Sequence, residues 1–249
     1  MVSGKYSALT GAVSREQSMA NIAANLANVN TVGYKKASVS FESLLQGAKQ
    51  TAEAKGINYT RIKNSVTEFT PGPLVATGNP LDMAIHEEGF FKVMGPNGVV
   101  YTRRGDFVLD QGGNLTTTNG LPVLDQANGP INIPDTEVSQ ISVSSLGEIS
   151  VISADGNEST VGAIGVVTID DTSKLKRETD TTFSLLPEGQ ETVVAEPTLV
   201  IGNLETSNVN MTEEMTLMID SLRTFETYHK VLKSYSDLSQ KQDELGSLG

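Results

Sequence analysis

The sequence predicts an α+β fold, with N- and C-terminal α-helices paired as a coiled-coil-like segment and a central antiparallel β-rich domain. Three observations carry this reading. Apolar residues recur at alternating spacings of four and three near both ends, the pattern of one helix face. The middle holds short apolar runs separated by Gly, Asn, Asp and Pro turns. The chain also carries 23 glycines in 249 residues, as one that turns often requires. Along the chain the expected order is a helix over 1–35, an extended connection over 36–80, a β-rich outer domain over 81–203, and a helix over 204–249.

At the N-terminus, Val2, Tyr6, Leu9 and Val13 form one stripe, and Met19, Ile22, Leu26 and Val29 a second in another phase. The polar run Ser14–Ser18 separates them, so the apolar face shifts around the helix. No Gly or Pro interrupts Ala12 to Thr31. The spacing predicts a helix from about Ser3 to Asn30, with Gly33 as a left-handed C-cap. Beyond it the pattern weakens. Thr51 to Gly56 reads as mobile, and Pro71-Gly72-Pro73 and Asn79-Pro80 read as elbows.

Strand-like runs follow at Gly89–Met94, Phe107–Leu109, Ile141–Val143 and Val161–Ile169. Turn chemistry falls between them at Pro96-Asn97-Gly98, Gln111–Asn114, Asn119-Gly120, Asn128-Gly129-Pro130 and Asp155-Gly156-Asn157. Short strands with close turns indicate antiparallel sheets, a sandwich or an irregular barrel. Strand alternation sends Phe90 and Phe91 to opposite faces.

The C-terminal segment has the most regular period. Met211, Met215, Met218, Leu222, Phe225, His229 and Leu232 occupy successive heptad positions. Tyr228, Val231, Tyr235, Leu238 and Leu245 form a second stripe. Asn210 is placed to cap the helix, with Glu213 and Glu214 at its positive end. Two stripes on one helix call for two neighbours. Either the helix is buried within its own domain, or one stripe pairs with the N-terminal helix and the other packs on another subunit.

Composition narrows the function. Hydrophobic residues make up 38% and charged residues 19%, enough for a folded core. The net charge of −12 and the absence of a basic cluster argue against nucleic acid as a partner. With no Cys there is no disulfide and no thiol nucleophile. No run approaches the length of a membrane span, and the first residues lack the basic and apolar regions of a secretory signal. Two histidines, His86 and His229, stand apart from each other, and His229 reads as a packed helix residue. Asp106, Asp110 and Asn114 lack the spacing of a calcium loop and read as turn formers. Glu87-Glu88 and Asp170-Asp171 are adjacent acids that would diverge on a strand. No phosphate loop or nucleophile elbow occurs. The expectation is no catalytic site, no metal, no cofactor and no small-molecule substrate.

Three separated segments resemble the flagellar rod and hook protein family. Asn21 to Lys35 (NIAANLANVNTVGYK) is similar to that family's NNLANxxTxGYK signature, with Ala24 in place of the first Asn. Gly89–Val93, Tyr101–Phe107 and Gly113–Leu115 resemble its GFFxV…YTRxGxF…GxL core. Leu204–Asn210 with Glu213–Ile219 resembles LExSNVNxxEEMxxMI. The resemblance implies a structural subunit that self-assembles through its terminal helices into the axial drive shaft of the basal body. Its partners would be copies of itself and other rod subunits. It further implies type III export into the periplasmic part of the rod.

The interface residues would be Met19, Ile22, Asn25, Leu26, Asn28 and Val29 on the first helix, and the heptad Met211 to Leu232 on the second. Asn25, Asn28 and Asn30 read either as assembly contacts or as helix-end caps. Chain length favours a rod protein over the longer hook proteins. The Thr224–Tyr228 segment and the Asp243–Gly246 tail look more like the proximal-rod type, with the distal-rod type the alternative. A reading from a different class is an adhesive or ligand-binding β-module with helical extensions, which would carry a concave site on the β-domain.

Overall fold

The computed structural model describes residues 2–46, 57–133, 138–153 and 158–246. The backbone divides into two compact units. The first contains helix α1 (Val2–Ala27), strands β1 (Ala37–Gln46) and β2 (Ile57–Thr67), and helix α2 (Met211–Gly246). The second spans 28–36 and 69–208. Its strands begin with β3 (Leu74–Ala76), β4 (Met83–Ile85), β5 (Phe90–Gly95), β6 (Gly98–Thr102), β7 (Phe107–Leu109) and β8 (Leu115–Thr117). They continue with β9 (Val138–Val143), β10 (Glu148–Ser153), β11 (Glu158–Ala163), β12 (Val166–Ile169) and β13 (Leu175–Arg177). The last are β14 (Thr182–Leu185), β15 (Glu191–Val193), β16 (Leu199–Ile201) and β17 (Asn203–Glu205).

In the first unit α1 and α2 pack against each other, and β1 and β2 form an antiparallel hairpin lying along α1. The sequence foresaw no strands in this part of the chain. Its mobile reading of Thr51 to Gly56 lies outside the described residues. Helix α1 stops at Ala27, and Gly33 lies six residues further on. Gly33 is left-handed, at φ 68° as expected, yet it does not cap the helix. Its N–H donates to the Glu205 carbonyl, and a side chain there would run into the Arg104 backbone. Close backbone approach therefore requires the glycine.

Helix α2 starts where the sequence indicates. The Asn210 side-chain oxygen accepts from the N–H groups of Thr212 and Glu213, satisfying donors that the first turn leaves open. Its 36 residues extend about 54 Å.

The second unit is built on a six-stranded antiparallel sheet in the order β13-β14-β6-β5-β12-β15. Phe90 and Phe91 do leave β5 on opposite faces, and both faces are covered. Phe91 enters a core with Met83, Val93, Phe107, Leu115, Ile149 and Ile164. Phe90 joins Tyr101, Val167, Leu175 and Phe183 on the other side, where Phe69 meets it edge-on at 5.3 Å. The run Val161–Ile169, read as one strand, is split between β11 and β12 in different sheets. Gly165 makes the break, because a Cβ there would lie 2.5 Å from the Asp125 carbonyl oxygen. The turn at Asp155 to Asn157 lies outside the described residues.

Candidate functional site

The seam between α1 and α2 mixes large apolar side chains with small and polar ones. On α2, Glu214, Met218, Ser221, Phe225, Tyr228, Leu232 and Tyr235 are buried or half-buried at alternating spacings of four and three. On α1 the matching face is small: Gly4, Ala8, Gly11, Ser14, Ser18, then Ile22 and Asn25. The Tyr235 ring sits over Gly4 and the Tyr228 ring over Gly11, where an added Cβ would lie 2.6 Å from the Tyr228 Cζ. Seven residues along α1 match seven back along α2, so the helices are antiparallel and in heptad register. The same step places Ser18 opposite Ser221, and the next brings Asn25 to Glu214.

Asn25 closes this end of the seam. Its Nδ2 donates to the Ala37 carbonyl at 2.9 Å and to Glu214 Oε2 at 3.2 Å, while its Oδ1 accepts from the Ala37 N–H at 3.0 Å. One amide thus joins α1, the first residue of β1, and α2. Both Asn25 and Glu214 are only 1% exposed.

Small residues turned inward leave large ones turned outward. Tyr6, Leu9 and Val13 on α1 are exposed, and so are Met211, Met215, Leu217, Ile219, Leu222, Val231 and Leu238 on α2. The predicted stripes therefore divide. Of the C-terminal heptad, Met218, Phe225 and Leu232 face the seam, whereas Met211, Met215, Leu222 and His229 face out. His229 is thus exposed, whereas the sequence suggested a packed helix residue, and it meets the edge of Phe225 one turn before it, ring centroids 4.7 Å apart. On α1, Ile22 and Asn25 are buried inside the unit, with Met19 and Leu26 partly covered. Asn28 and Val29, in the second unit, are partly covered too, and Asn28 accepts from the Thr31 hydroxyl. Helix α2 also continues past the residue that faces Val2 by about nine residues, roughly 14 Å. A shallow hollow lined by Thr227, Lys230, Val231, Ser234, Tyr235 and Leu238 interrupts its surface.

The second unit holds a buried charge cluster that sequence reasoning missed. Glu205 accepts from Lys35 Nζ at 2.5 Å, from Arg103 at 3.3 Å and from the Gly72 N–H at 2.9 Å. Lys35 also donates to the Thr70 carbonyl, and Arg103 to the carbonyls of Ile85 and Glu87. Burial pushes the Lys35 ammonium and the Arg103 guanidinium below their ordinary pKa values, and the Glu205 carboxylate opposes this for both. Arg177 adds a clasp, donating to the Lys35 carbonyl while lying over the rings of Tyr34 and Phe183. Lys35, Arg103 and Glu205 come one from each of the three resembling segments. Nothing in the sequence pairs them, since the three residues lie far apart along the chain.

The residues considered for catalysis remain apart. His86, Glu87 and Glu88 occupy an exposed bend, and Asp170-Asp171 precedes a 3-10 turn capped by Asp171, so neither acidic pair lies on a strand. Asp110 accepts from the N–H groups of Gly112 and Asn114 and shapes that turn, as expected. Asp106 pairs with Arg104 at 2.6 Å. Among the described residues no group of three or more His, Asp and Glu could hold a metal, and no helix is long and apolar enough to cross a membrane.

A paired-helix unit that leaves many large apolar residues outward, with a β unit whose sheet is covered on both faces, has the character of a structural building block. Comparison with known proteins agrees. Residues 6–35 match the flagella basal body rod protein family, 84–151 the flagellar hook protein FlgE/F/G D1 domain, and 201–245 the flagellar basal body rod FlgEFG protein C-terminal region. The flagellar basal-body rod protein FlgG of Bacillus subtilis is 31% identical over 97% of this chain and 98% of its own. The FlgF rod protein of Caulobacter vibrioides is 32% identical over 90% of this chain and 89% of its own. That of Escherichia coli is 32% identical over 98% of each. The chain belongs to the flagellar basal-body rod protein family.

Proposed function

We propose that this chain is a subunit of the axial drive shaft that self-assembles through the outward faces of α1 and α2. The exposed apolar stripe carries the reading. Met211, Met215, Ile219 and Leu222 are each close to half exposed, which is unfavourable for an isolated subunit and favourable once a neighbour covers them. The interface is then Met211, Met215, Leu222 and their outward neighbours on α2, with Tyr6, Leu9 and Val13 on α1. Met19, Leu26, Asn28 and Val29 contribute through their uncovered portions. Partners are further copies and other rod subunits, reached by type III export to the periplasmic part of the rod. The protein acts through packing and catalyses nothing.

Within the family we infer the proximal-rod, FlgF-like role, from the Thr224–Tyr228 segment and the Asp243–Gly246 tail. A distal-rod, FlgG-like role is the second reading, favoured by the end-to-end match to the Bacillus subtilis FlgG protein. A density map of basal bodies purified from the native host, with a tag inserted in the β unit, tests both. Density beside the inner end of the rod is expected. Density in the outer part selects the second reading, and no tagged density along the axis rejects assembly altogether.

A further inference from the structure

Beside Ile22, Met218, Phe225 and Leu232, the seam between α1 and α2 holds an amide and a carboxylate, Asn25 and Glu214, where an apolar pair would be the more stable choice. A buried polar pair in a helix seam costs stability relative to apolar residues, and its best-attested use is to fix register. Glu214 fits that use. It lies in the first turn of α2, is almost wholly buried, and reaches across to Asn25, whose remaining amide bonds are anchored on the Ala37 backbone. The anchor is rigid because both backbone groups of Ala37 hold it. Further along the seam the contacts are shape-based: the Tyr235 ring over Gly4 and the Tyr228 ring over Gly11 favour the same register, and the Asn25–Glu214 hydrogen bond adds a directional contact at the end of the seam that meets Ala37.

We propose that the Asn25–Glu214 contact is a register lock: it fixes the axial setting of α2 against α1, and through it the position at which the outer stripe meets a neighbour. Asn25 and Glu214 are therefore positioning residues that touch no other subunit. The inference rests on the outer stripe being the assembly surface, but the register itself is measurable in the isolated subunit.

The chain has no cysteine, so introduced thiols report without background. Ser18 and Ser221 are buried, small and opposite each other, and Ser14 is the buried serine one turn away on α1. Ser18→Cys with Ser221→Cys reports the native register. Ser14→Cys with Ser221→Cys reports a one-turn slip, because about 6 Å of axial offset otherwise keeps those thiols too far apart to bridge. With Glu214 present, the first pair is expected to oxidise at least tenfold faster than the second. Glu214→Leu should retain the helical circular dichroism signal and bring the two rates within about threefold of each other. Glu214→Gln keeps an acceptor for Asn25 and should restore the difference. Incorporation into purified basal bodies should fall with Leu and recover with Gln. An unchanged rate ratio in Glu214→Leu overturns the proposal. So does a collapsed ratio with normal incorporation, and that result leaves the outer-stripe reading standing, since Leu222→Asp tests it separately.

Discussion

Lys35 Nζ donates to the Glu205 carboxylate at 2.5 Å with both side chains buried, across 170 residues of sequence. Arg103 shares the same carboxylate, so one anion holds two cations out of water. Three segments of the second unit meet there: the strap 28–36, the turn between β6 and β7, and the end of β17. The cluster closes the second unit around the strap that follows α1.

Glu205→Gln should therefore be strongly destabilising. It leaves two buried cations without their counter-ion, a loss on the order of 3–5 kcal/mol. Urea unfolding followed by tyrosine fluorescence measures it. A change under about 1 kcal/mol would mean that the cations escape to water at little cost.

Gly11→Ala tests the seam with a prediction opposite in sign to helix propensity. Propensity alone favours alanine in a helix by about 1 kcal/mol. The new Cβ would instead lie 2.6 Å from the Tyr228 ring, so the variant should lose about 1–3 kcal/mol. Tyr228→Ala should remove the conflict, giving a positive coupling in a double-mutant cycle read by thermal unfolding.

Leu222→Asp and Phe225→Asp should separate the two faces of α2. Leu222 is 45% exposed, so its aspartate variant should fold with native stability and fail to enter the rod. Phe225 faces α1, so Phe225→Asp should weaken the helix pair before any assembly step, lowering the melting temperature of the isolated subunit. Normal motility in a Leu222→Asp strain would remove the outer stripe from the assembly surface.

The turn at Asp110 should loosen in acid. Hydrogen bonds from Asn114 and Gly112 hold the Asp110 carboxyl below its ordinary value of 3.8. The unfolded chain thus takes up the proton first. The stabilisation is present above pH 3.8 and is lost as pH falls through the lower folded value. Protection of the Gly112 and Asn114 amides, relative to their intrinsic exchange rates, should fall across that window, and Asp110→Asn should abolish that change.

The sequence by itself determined the family and the kinds of element at both ends and in the centre, but not the β1–β2 hairpin. Helical spacing at both ends, the Asn210 cap, the turn glycines and the alternation of Phe90 and Phe91 are local properties, set by backbone geometry within a few residues. The three resembling segments were legible for the same reason. The tertiary structure alone decided which face of each helix is inside. Periodicity identifies residues that share a face, but not the partner that face will meet. Here two rings on α2 fit over Gly4 and Gly11, and the predicted stripes divided: Phe225 and Leu232 turned inward, Met215 and Leu222 outward. It also converted Asn25 from an expected assembly contact into an internal junction, and made Lys35, Arg103 and Glu205 neighbours. A buried ion cluster has no local signature, because its energy depends on charges that only the folded chain brings out of water together.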